Sequence, residues 1–461
     1  MITCLAFTPH PPIIIPAVGG NRIKAAAATV EGMQEMARQV AATAPETLVF
    51  LTPHGNVFRD AVSCLGDSRV YGDMADFNVP DLRTSCPNDL ELVARIGYKC
   101  AENDIDFVMV DQDNARRYKL KNRLDHGILV PHYYLSQAGL GQLPLAAISI
   151  GFLPLIKLYQ LGTFIAESAE QLGRRIAVIA SGDMSHRLKT EGPYDFHPDG
   201  PRYDAEVERL LKAGDTRGLL NIPETLRENA GECGYRSLVI MLGCLDKYSY
   251  QSEIFSHEGP FGVGYMTAGL TPQAAATSYL KLWQEENRCE NEVNTSIPVR
   301  WARQVLKSYL LKGEIPPLPE EFKELKAKKA GTFVSLKKYG SLRGCIGTIM
   351  PYCDDLAAEI AYNAVNAGVK DPRFSPVTIH EYDDLEFSVD ILGEPEPCRR
   401  QDLNPRQYGV IVSKGAKRGL LLPDLEGIDT VEEQLNIALQ KAGIKPGEDY
   451  DTARFTVTRY K

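Results

Sequence analysis

The stretch "ITCLAFTPHPPIIIPAVGG", residues 2–20, decides the fold of the first part of the chain. Its apolar run ends at a cluster of prolines, which have no N–H and a fixed φ, so a strand must end there. His10 then lies at the carboxyl end of that strand, on a stiff loop. In sheets that carry helices on both faces, ligands bind at this end of the strands. The alternative interpretation is a histidine with a structural role.

Two further apolar runs end in the same manner. "TLVFLTPH", residues 47–54, repeats Thr-Pro-His, and "RIAVIASGDMSH", residues 175–186, ends at His186. Amphipathic segments such as residues 21–43 separate the runs. Strands that alternate with helices predict an α/β domain over residues 1–272, with a largely parallel central sheet and helices on both faces. We expect the two Thr-Pro-His strands to be adjacent in it.

Composition limits the class of protein. The chain has 461 residues and a formal net charge of −9, which argues against general nucleic-acid or membrane binding. Ten cysteines without a Cys-x-x-Cys spacing argue against a zinc ribbon and predict free thiols in a reducing cytoplasm. The N-terminus has no basic region typical of a signal peptide. The apolar stretch 143–162 contains Lys157, and its uncharged part is too short to span a membrane.

The second part of the chain has a different pattern. Residues 273–292 predict a connector that begins as a helix and becomes polar. From 293 to 461, short strands bounded by turns and a few helical segments predict an α+β domain.

Histidines at strand ends predict a metal site. His10 and His54 meet at one edge of the predicted sheet, and two imidazoles with one carboxylate form the facial triad of non-haem Fe(II) enzymes. Glu232 in "ENAGECGYRS" is the candidate carboxylate. The alternative is an acid that interacts with the dipole at a helix N-terminus. Such a site leaves positions for a bidentate substrate and for O2.

The motifs "TPHPP", "TPHG", "LDHGILVPHYYL" and "SGDMSH", in this order, resemble class III extradiol ring-cleavage dioxygenases and their Memo-like relatives over residues 1–272. The resemblance implies Fe(II) held by His10, His54 and Glu232. It also implies that His186 is the catalytic acid/base and that His126 is a catalytic residue at the substrate.

Memo-like proteins have Cys-Gly near the third ligand, which Cys233 and Gly234 match. Cys233 is therefore the alternative ligand, and copper or another divalent metal the alternative cofactor, since thiolates favour softer metals. Asp125 and Asp183, beside the predicted catalytic histidines, are candidates to orient an imidazole. Turn-forming aspartates that bond to the backbone are the alternative interpretation.

"LRGCIGT", residues 342–348, "DPRFSPV" and "YGVIVSKGAKRGLLLP" resemble the AMMECR family over residues 293–461. We expect Arg343, Cys345, Asp371 and Arg373 at a shared surface groove. The alternatives are a small buried side chain for Cys345 and an ion pair with Asp371 for Arg373.

The fusion resembles a bacterial and archaeal arrangement that is associated with a radical S-adenosylmethionine protein. The fusion implies that the two parts act in one pathway. The resemblance to the dioxygenases implies a metal-dependent oxidoreductase for a small, aromatic substrate, acting with that partner. One alternative is a metal-binding or substrate-carrying subunit without dioxygenase chemistry. Another is an adaptor with a decayed site, against which the intact histidines argue. Nucleic-acid and membrane partners are not expected, and the sequence leaves homo-oligomers open.

Overall fold

The computed structural model describes residues 1–293, 296–338, 341–425, 427–445 and 447–461, without the side chains of 287–293, 341 and 380. The chain divides into two compact units, Met1–Trp283 and Gln284–Lys461. Each unit has its own apolar cores.

The first unit contains alternating strands and helices. Its strands are β1 Ile2–Thr8, β2 Thr47–Thr52, β3 Ala61–Leu65, β4 Arg69–Met74, β5 Val79–Pro87, β6 Asp106–Val110, β7 Leu145–Ser149, β8 Ile176–Ser181, β9 Tyr248–Glu258 and β10 Tyr265–Ala275. Its helices are α1 Pro16–Gly19, α2 Ala27–Ala42, α3 Leu90–Glu102, α4 Gln112–Tyr118, α5 His126–Gln137, α6 Leu155–Gln171, α7 Asp199–Ala213, α8 Thr216–Leu220, α9 Glu224–Ala230 and α10 Tyr235–Gly243. Helix α11, Tyr279–Val293, covers most of the predicted connector and runs across the boundary between the units.

The main sheet of this unit has the order β6-β3-β7-β2-β8-β1-β10-β9. Strands β7, β2, β8 and β1 are parallel at its centre, whereas the pairs β3–β7, β1–β10 and β10–β9 are antiparallel. The sheet is therefore mixed. The expected adjacency of β1 and β2 is wrong, because β8 lies between them and pairs with both. All residues of β8 are buried, and a strand that is apolar on both faces is typical of a position with neighbours on both edges.

Successive residues of the central strands point to opposite faces of the sheet. Leu5 and Phe7 belong to one apolar cluster, with residues of α6 and α10. Ala6 belongs to another, with Met33 of α2 and Ile128 of α5. Burial on both faces leaves the carboxyl ends of the strands as the place where polar side chains gather.

The second unit consists of antiparallel sheets and helices, which is an α+β arrangement. Its elements are α12 Ile297–Lys312, β11 Thr332–Lys338, β12 Ser341–Gly347, α13 Leu356–Val369, β13 Leu385–Leu392, β14 Glu396–Pro397, β15 Gly409–Lys414, β16 Lys417–Leu421, α14 Val431–Ala442, β17 Asp451–Phe455 and β18 Val457–Tyr460. The sheets have the orders β12-β11-β13-β18 and β14-β17-β15-β16. Helices α12 and α13 share a core with the first sheet, and α14 packs on the second.

Within the described residues, no helix has the length and apolar character needed to cross a membrane. The apolar stretch 143–162 is divided between β7 and the first part of α6.

Candidate metal centre

Two histidines follow the carboxyl ends of strands at the centre of the sheet. Strands β1, β8 and β2 lie side by side, and His10 and His54 each come two residues after their strand. The Nε2 atoms of His10 and His54 are 2.9 Å apart. The structure thus brings together the two residues that the repeated Thr-Pro-His motif singles out.

His126 is the third member of this cluster. It begins α5, its ring stacks on His54 with centroids 4.3 Å apart, and its centroid is 5.3 Å from that of His10. Each of the three side chains has a ligand atom within 4.8 Å of the other two. The stacked ring of His126 lies nearly parallel to that of His54, with an interplanar angle of 28°. Because imidazole lone pairs lie in the ring plane, such rings do not readily aim at one cation.

Helix α5 starts at His126 because Asp125 caps it. The Asp125 carboxylate accepts hydrogen bonds from the N–H of Gly127 at 2.8 Å and from the hydroxyl of Thr52 at 2.7 Å. A Cβ at Gly127 would lie 2.5 Å from the Thr52 hydroxyl, so the close approach requires glycine. Asp125 therefore has the turn-forming role and ties His126 to the end of β2.

A chain of hydrogen bonds determines which ring nitrogen of His10 carries the proton. Pro131, inside α5, has no N–H to donate to the carbonyl of Gly127. The hydroxyl of Ser181 donates to that carbonyl instead. Its oxygen is then an acceptor for Nδ1 of His10, 2.9 Å away. A neutral His10 with its proton on Nδ1 presents the lone pair of Nε2 to His54.

The histidines of the site are in the neutral form that binds metals. Burial, reinforced by His54 and the other histidines, lowers the pKa of His10 well below its usual value. Burial likewise lowers the pKa of His54, and it lowers the pKa of His126 to about 4. Metal ligands must be deprotonated, so these groups need no proton release before binding a cation.

Cys233 and Glu232 differ in what they face. The Sγ of Cys233 lies 3.7 Å from Nε2 of His10, whereas a carboxylate oxygen of Glu232 accepts from the N–H of Tyr235 at 2.6 Å. Burial raises the pKa of Glu232 to about 7 and that of Cys233 well above its usual value. The structure thus places the thiol beside His10 and the carboxylate at the N-terminus of α10.

Glycines make this loop arrangement possible. A Cβ at Gly182 would overlap the Cα of Gly234, so the loop after β8 and the loop before α10 touch through their backbones. The N–H of Gly234 donates to the carbonyl of Asp183 at 3.1 Å. This contact places Cys233 at the edge of the sheet where His10 lies.

Asp183 supports the same loop. Its carboxylate accepts from the N–H of His10 at 2.9 Å, and its own N–H donates to the Sγ of Cys233 at 3.2 Å. Burial raises the pKa of Asp183 to about 7. Asp183 therefore holds the backbone of His10 and does not orient the ring of His186 by a described hydrogen bond.

His186 lies at the same edge of the sheet. Its ring stacks on Tyr194 with centroids 5.2 Å apart, and its buried Nε2 has no hydrogen-bond partner among the described residues. Burial, with a smaller contribution from His54, lowers the pKa of His186 to about 4. An unpartnered, neutral imidazole nitrogen is able to accept a proton from a bound molecule.

The donor set fits a divalent transition metal. Nitrogen atoms 2.9 Å apart can bind one cation, because metal–nitrogen bonds of about 2.1 Å then enclose an angle of about 90°. The thiol of Cys233 adds a soft donor and Glu232 a hard one.

Sequence analysis missed Ser181. The signal that could have led to it is the proline within "HGILVPHYYL", because a proline inside a helix leaves a carbonyl that needs another donor.

In the second unit, three of the four residues predicted for a groove lie together, because Asp371 and Arg373 both bind the backbone of Cys345. Asp371 accepts from the N–H of Cys345 at 2.9 Å, and Arg373 donates to the carbonyl of Cys345 at 3.2 Å. Arg373 also pairs with Asp371 at 2.7 Å and 2.9 Å, and this hydrogen bond lowers the pKa of Asp371. Arg343 instead binds Glu381 at 2.9 Å and 3.0 Å.

The exposure of Cys345 is intermediate, and its Sγ accepts a hydrogen bond from Ser335 at 3.1 Å. Cys345 is therefore not a fully buried side chain, and the ion pair of Arg373 with Asp371 is present. Because β12 is an edge strand, the two charged side chains cover its outward N–H and C=O at this residue.

Comparisons with known proteins agree with this division. Residues 4–268 match the family model "Catalytic LigB subunit of aromatic ring-opening dioxygenase", and residues 299–461 match the AMMECR1 model. A protein of Clostridium acetobutylicum is 41% identical over 459 residues, 98% of both chains. A protein of Thermotoga maritima is 53% identical over 167 residues, 35% of this chain and 96% of the relative.

Two solved structures each match a portion of the chain. The crystal structure of an uncharacterized protein from Pyrococcus horikoshii has a TM-score of 0.33 and 33% identity, and covers 35% of this chain and 88% of that one. That of an uncharacterized protein from Escherichia coli K12 has a TM-score of 0.40 and 15% identity, and covers 58% of this chain and 98% of that one. From the family models and the full-length relative, the chain belongs to the LigB family of aromatic ring-opening dioxygenase catalytic subunits, with an AMMECR1 domain after it.

Proposed function

We propose that the first unit is a metal-dependent oxidoreductase of the ring-cleaving dioxygenase kind, with a small aromatic substrate and Fe(II) as its metal. The observation that carries the proposal is the pair of Nε2 atoms of His10 and His54, 2.9 Å apart, with the Ser181 relay holding the His10 lone pair towards His54. The two Nε2 atoms share one hydrogen bond, and a cation that replaces its proton is bound by both nitrogens.

His10, His54 and Cys233 are the proposed ligands. The distance of 3.7 Å from the Cys233 thiol to His10 supports Cys233, and the hydrogen bond of Glu232 to Tyr235 supports a capping role for that carboxylate. This choice differs from the preference for Glu232 that the sequence suggests. Glu232 stays the alternative ligand, and copper the alternative metal, because a thiolate favours softer cations.

The chain's own groups have separate roles. Bound Fe(II) supplies the open coordination positions at which a diol and O2 meet. Nε2 of His186, unpartnered and neutral, takes a proton from a substrate hydroxyl and later returns it. His126, stacked on His54, contacts the substrate ring, and Tyr194 covers the outer face of His186.

The experiment uses full-length protein, purified without oxygen and loaded with Fe(II), with catechols added under air. Oxygen uptake that matches the appearance of a ring-opened product supports the proposal. Metal that binds without any oxygen uptake or product for a series of catechols contradicts it. Alanine at His10 or His54 should sharply reduce bound metal while circular dichroism stays unchanged.

The third ligand is decided by a matched pair of variants, Glu232→Gln and Cys233→Ser. With Cys233 as ligand, the thiolate-to-metal charge-transfer band of the Co(II)- or Cu(II)-loaded protein disappears in Cys233→Ser and stays in Glu232→Gln. Retention of the band in Cys233→Ser, with loss of metal in Glu232→Gln, returns the carboxylate to the site. His126→Ala is the third arm, because full metal content there excludes His126 as a ligand.

A second candidate function rests on the thiol beside His10. The first unit is then a metal-binding or substrate-carrying subunit, with copper or another soft cation, that serves a radical S-adenosylmethionine partner together with the AMMECR1 domain. Metal identity after anaerobic purification, and co-purification of such a partner, distinguish this function from ring cleavage.

A further inference from the structure

A histidine outside the candidate metal centre lies between two carboxylates. His257 belongs to β9, and its ring meets two side chains of α7. Its Nδ1 donates to Glu208 at 2.5 Å and its Nε2 donates to Asp204 at 3.4 Å. Ionised carboxylates only accept hydrogen bonds, so both ring nitrogens must carry protons to form this pair of bonds. The geometry is therefore that of an imidazolium, and these three residues are named the His257 cluster.

Few other charged groups border this cluster. Lys212, one turn further along α7, pairs with Glu208. Glu258, the next residue of β9, points the other way and accepts from the N–H and the hydroxyl of Thr29 in α2 at 2.7 Å and 2.6 Å. The residue of β10 that pairs with His257 is the apolar Met266. The charged groups that face the ring therefore belong to α7.

Asp204 connects the cluster to the loop after β8. Its other carboxylate oxygen accepts from the N–H of Ser185, the neighbour of His186, at 2.8 Å. The carbonyl of Ser185 accepts from the N–H of Gly264 at 2.7 Å. A Cβ at Gly264 would lie 2.1 Å from the Asp204 carboxylate, so this close approach requires glycine. Both peptide groups of Ser185 are thus held, and the second of them leads directly to His186.

The charges of Asp204 and His257 depend on each other. Asp204 is 4% exposed, and burial raises its pKa, whereas the bond from His257 acts against that rise. Burial also opposes the charge of His257, but the bonds to Asp204 and Glu208 outweigh it, so the pKa of His257 lies above its usual value of about 6.5. Once His257 loses its proton at higher pH, Asp204 is a buried carboxylate without a bonded cation among the described residues. Such an uncompensated charge is strongly destabilising.

We infer that protonated His257 positions the loop that carries His186, and that loss of its proton loosens this loop. The connection runs through Asp204, which the imidazolium holds against the N–H of Ser185. His257 is a positioning residue, because it acts through Asp204 and has no described hydrogen bond to His186. The inference rests on the proposed function only for the role of His186 as acid/base, since the position of the loop needs neither metal nor substrate.

The test is hydrogen–deuterium exchange of the full-length protein, measured by mass spectrometry in peptides that cover residues 183–188, from about pH 6 to about pH 9 and corrected for intrinsic exchange. Histidine NMR of the same protein gives the titration midpoint of His257. Wild-type exchange should rise by about tenfold at that midpoint, the effect of one charge-assisted hydrogen bond. In His257→Gln, exchange should be high at every pH, while peptides from β8 stay protected in both proteins.

Glu208→Gln and Lys212→Gln are the matched variants, because each removes one charge beside the cluster and leaves His257 and Asp204 in place. Glu208→Gln removes a carboxylate that raises the pKa of His257, so the NMR midpoint and the exchange midpoint should move together to lower pH. Lys212→Gln should exchange like the wild type, since Lys212 pairs with Glu208 and has no described bond to Asp204.

Four results overturn the inference: wild-type exchange without a pH step, low exchange in His257→Gln, an equal rise in Lys212→Gln, or midpoints that separate in Glu208→Gln. If His257→Gln does not fold, the comparison of midpoints in Glu208→Gln decides by itself. Full turnover of catechols by His186→Ala, or none by the wild type, instead counts against the proposed function, whatever the exchange shows.

Discussion

Ser181→Ala is the most direct test of the candidate metal centre, because Ser181 bonds to the ring of His10 and is not itself a proposed ligand. The hydroxyl accepts from Nδ1 of His10 at 2.9 Å and donates to the carbonyl of Gly127. His10 is 2% exposed, so water does not replace the lost acceptor. In the metal-free variant, His10 avoids a buried unsatisfied N–H by moving its proton to Nε2, where it faces Nε2 of His54.

Metal binding through Nε2 of His10 then requires that proton to return to Nδ1, which has lost its acceptor. Removal of such an outer partner of a ligating histidine typically weakens metal binding by about 10–100-fold, which is about 1.4–2.7 kcal/mol. The assay is competition for Zn(II) or Fe(II) with a chelator of known affinity. Histidine ¹⁵N spectra of the metal-free protein, recorded in parallel, should show His10 protonated on Nδ1 in the wild type and on Nε2 in the variant.

Ser185→Ala is the control for a general loss of packing. Ser185 is a buried serine in the loop that follows β8, and its hydroxyl donates to the carbonyl of Ala230 at 3.0 Å, without a described hydrogen bond to His10. The reasoning is refuted by an unchanged metal dissociation constant in Ser181→Ala, by an equal loss in Ser185→Ala, or by a wild-type His10 that carries its proton on Nε2.

Four other changes test separate parts of the molecule. Pro131→Ala supplies an N–H to the Gly127 carbonyl and frees the Ser181 hydroxyl, so metal affinity should fall, by less than in Ser181→Ala, in the same chelator assay. The charge of Lys121 lowers the pKa of His126, so Lys121→Gln should raise that pKa above about 4. Histidine NMR of the metal-free protein measures the pKa, and an unchanged value would show that the charge of Lys121 does not act on His126. His186→Ala should keep its metal and lose turnover by about 10²–10⁴-fold; loss of metal would make His186 a ligand. The hydrogen bond from Arg373 lowers the pKa of Asp371 below its unfolded value of about 3.9, so the ion pair stabilises the fold above that pH. This stabilisation is lost as the pH falls through the folded pKa. Denaturant unfolding should therefore show that the wild type loses stability towards acid more steeply than Asp371→Asn.

The sequence by itself was sufficient to predict where the strands before His10 and His54 end. Prolines after an apolar run end a strand wherever it lies in the sheet, so His10 and His54 were predictable as strand-end residues. The family of both parts was recognisable from local motifs, since "TPHPP", "SGDMSH" and "LRGCIG" contain the site residues and the glycines within a few positions of each other.

Only the tertiary structure decided which strand lies between β1 and β2 and which side chains face the candidate site. Strand order depends on which edges pair, and β8 is as apolar as its neighbours, so nothing local places it between β1 and β2. Glu232 and Cys233 are adjacent in sequence, and the backbone contact of Gly182 with Gly234 determines which one reaches His10, 223 residues from Cys233. The hydrogen bonds of Ser181 also depend on the tertiary structure. Ser181 lies 171 residues from His10 and 54 from Gly127 along the chain, so these bonds form only when packing brings the groups together.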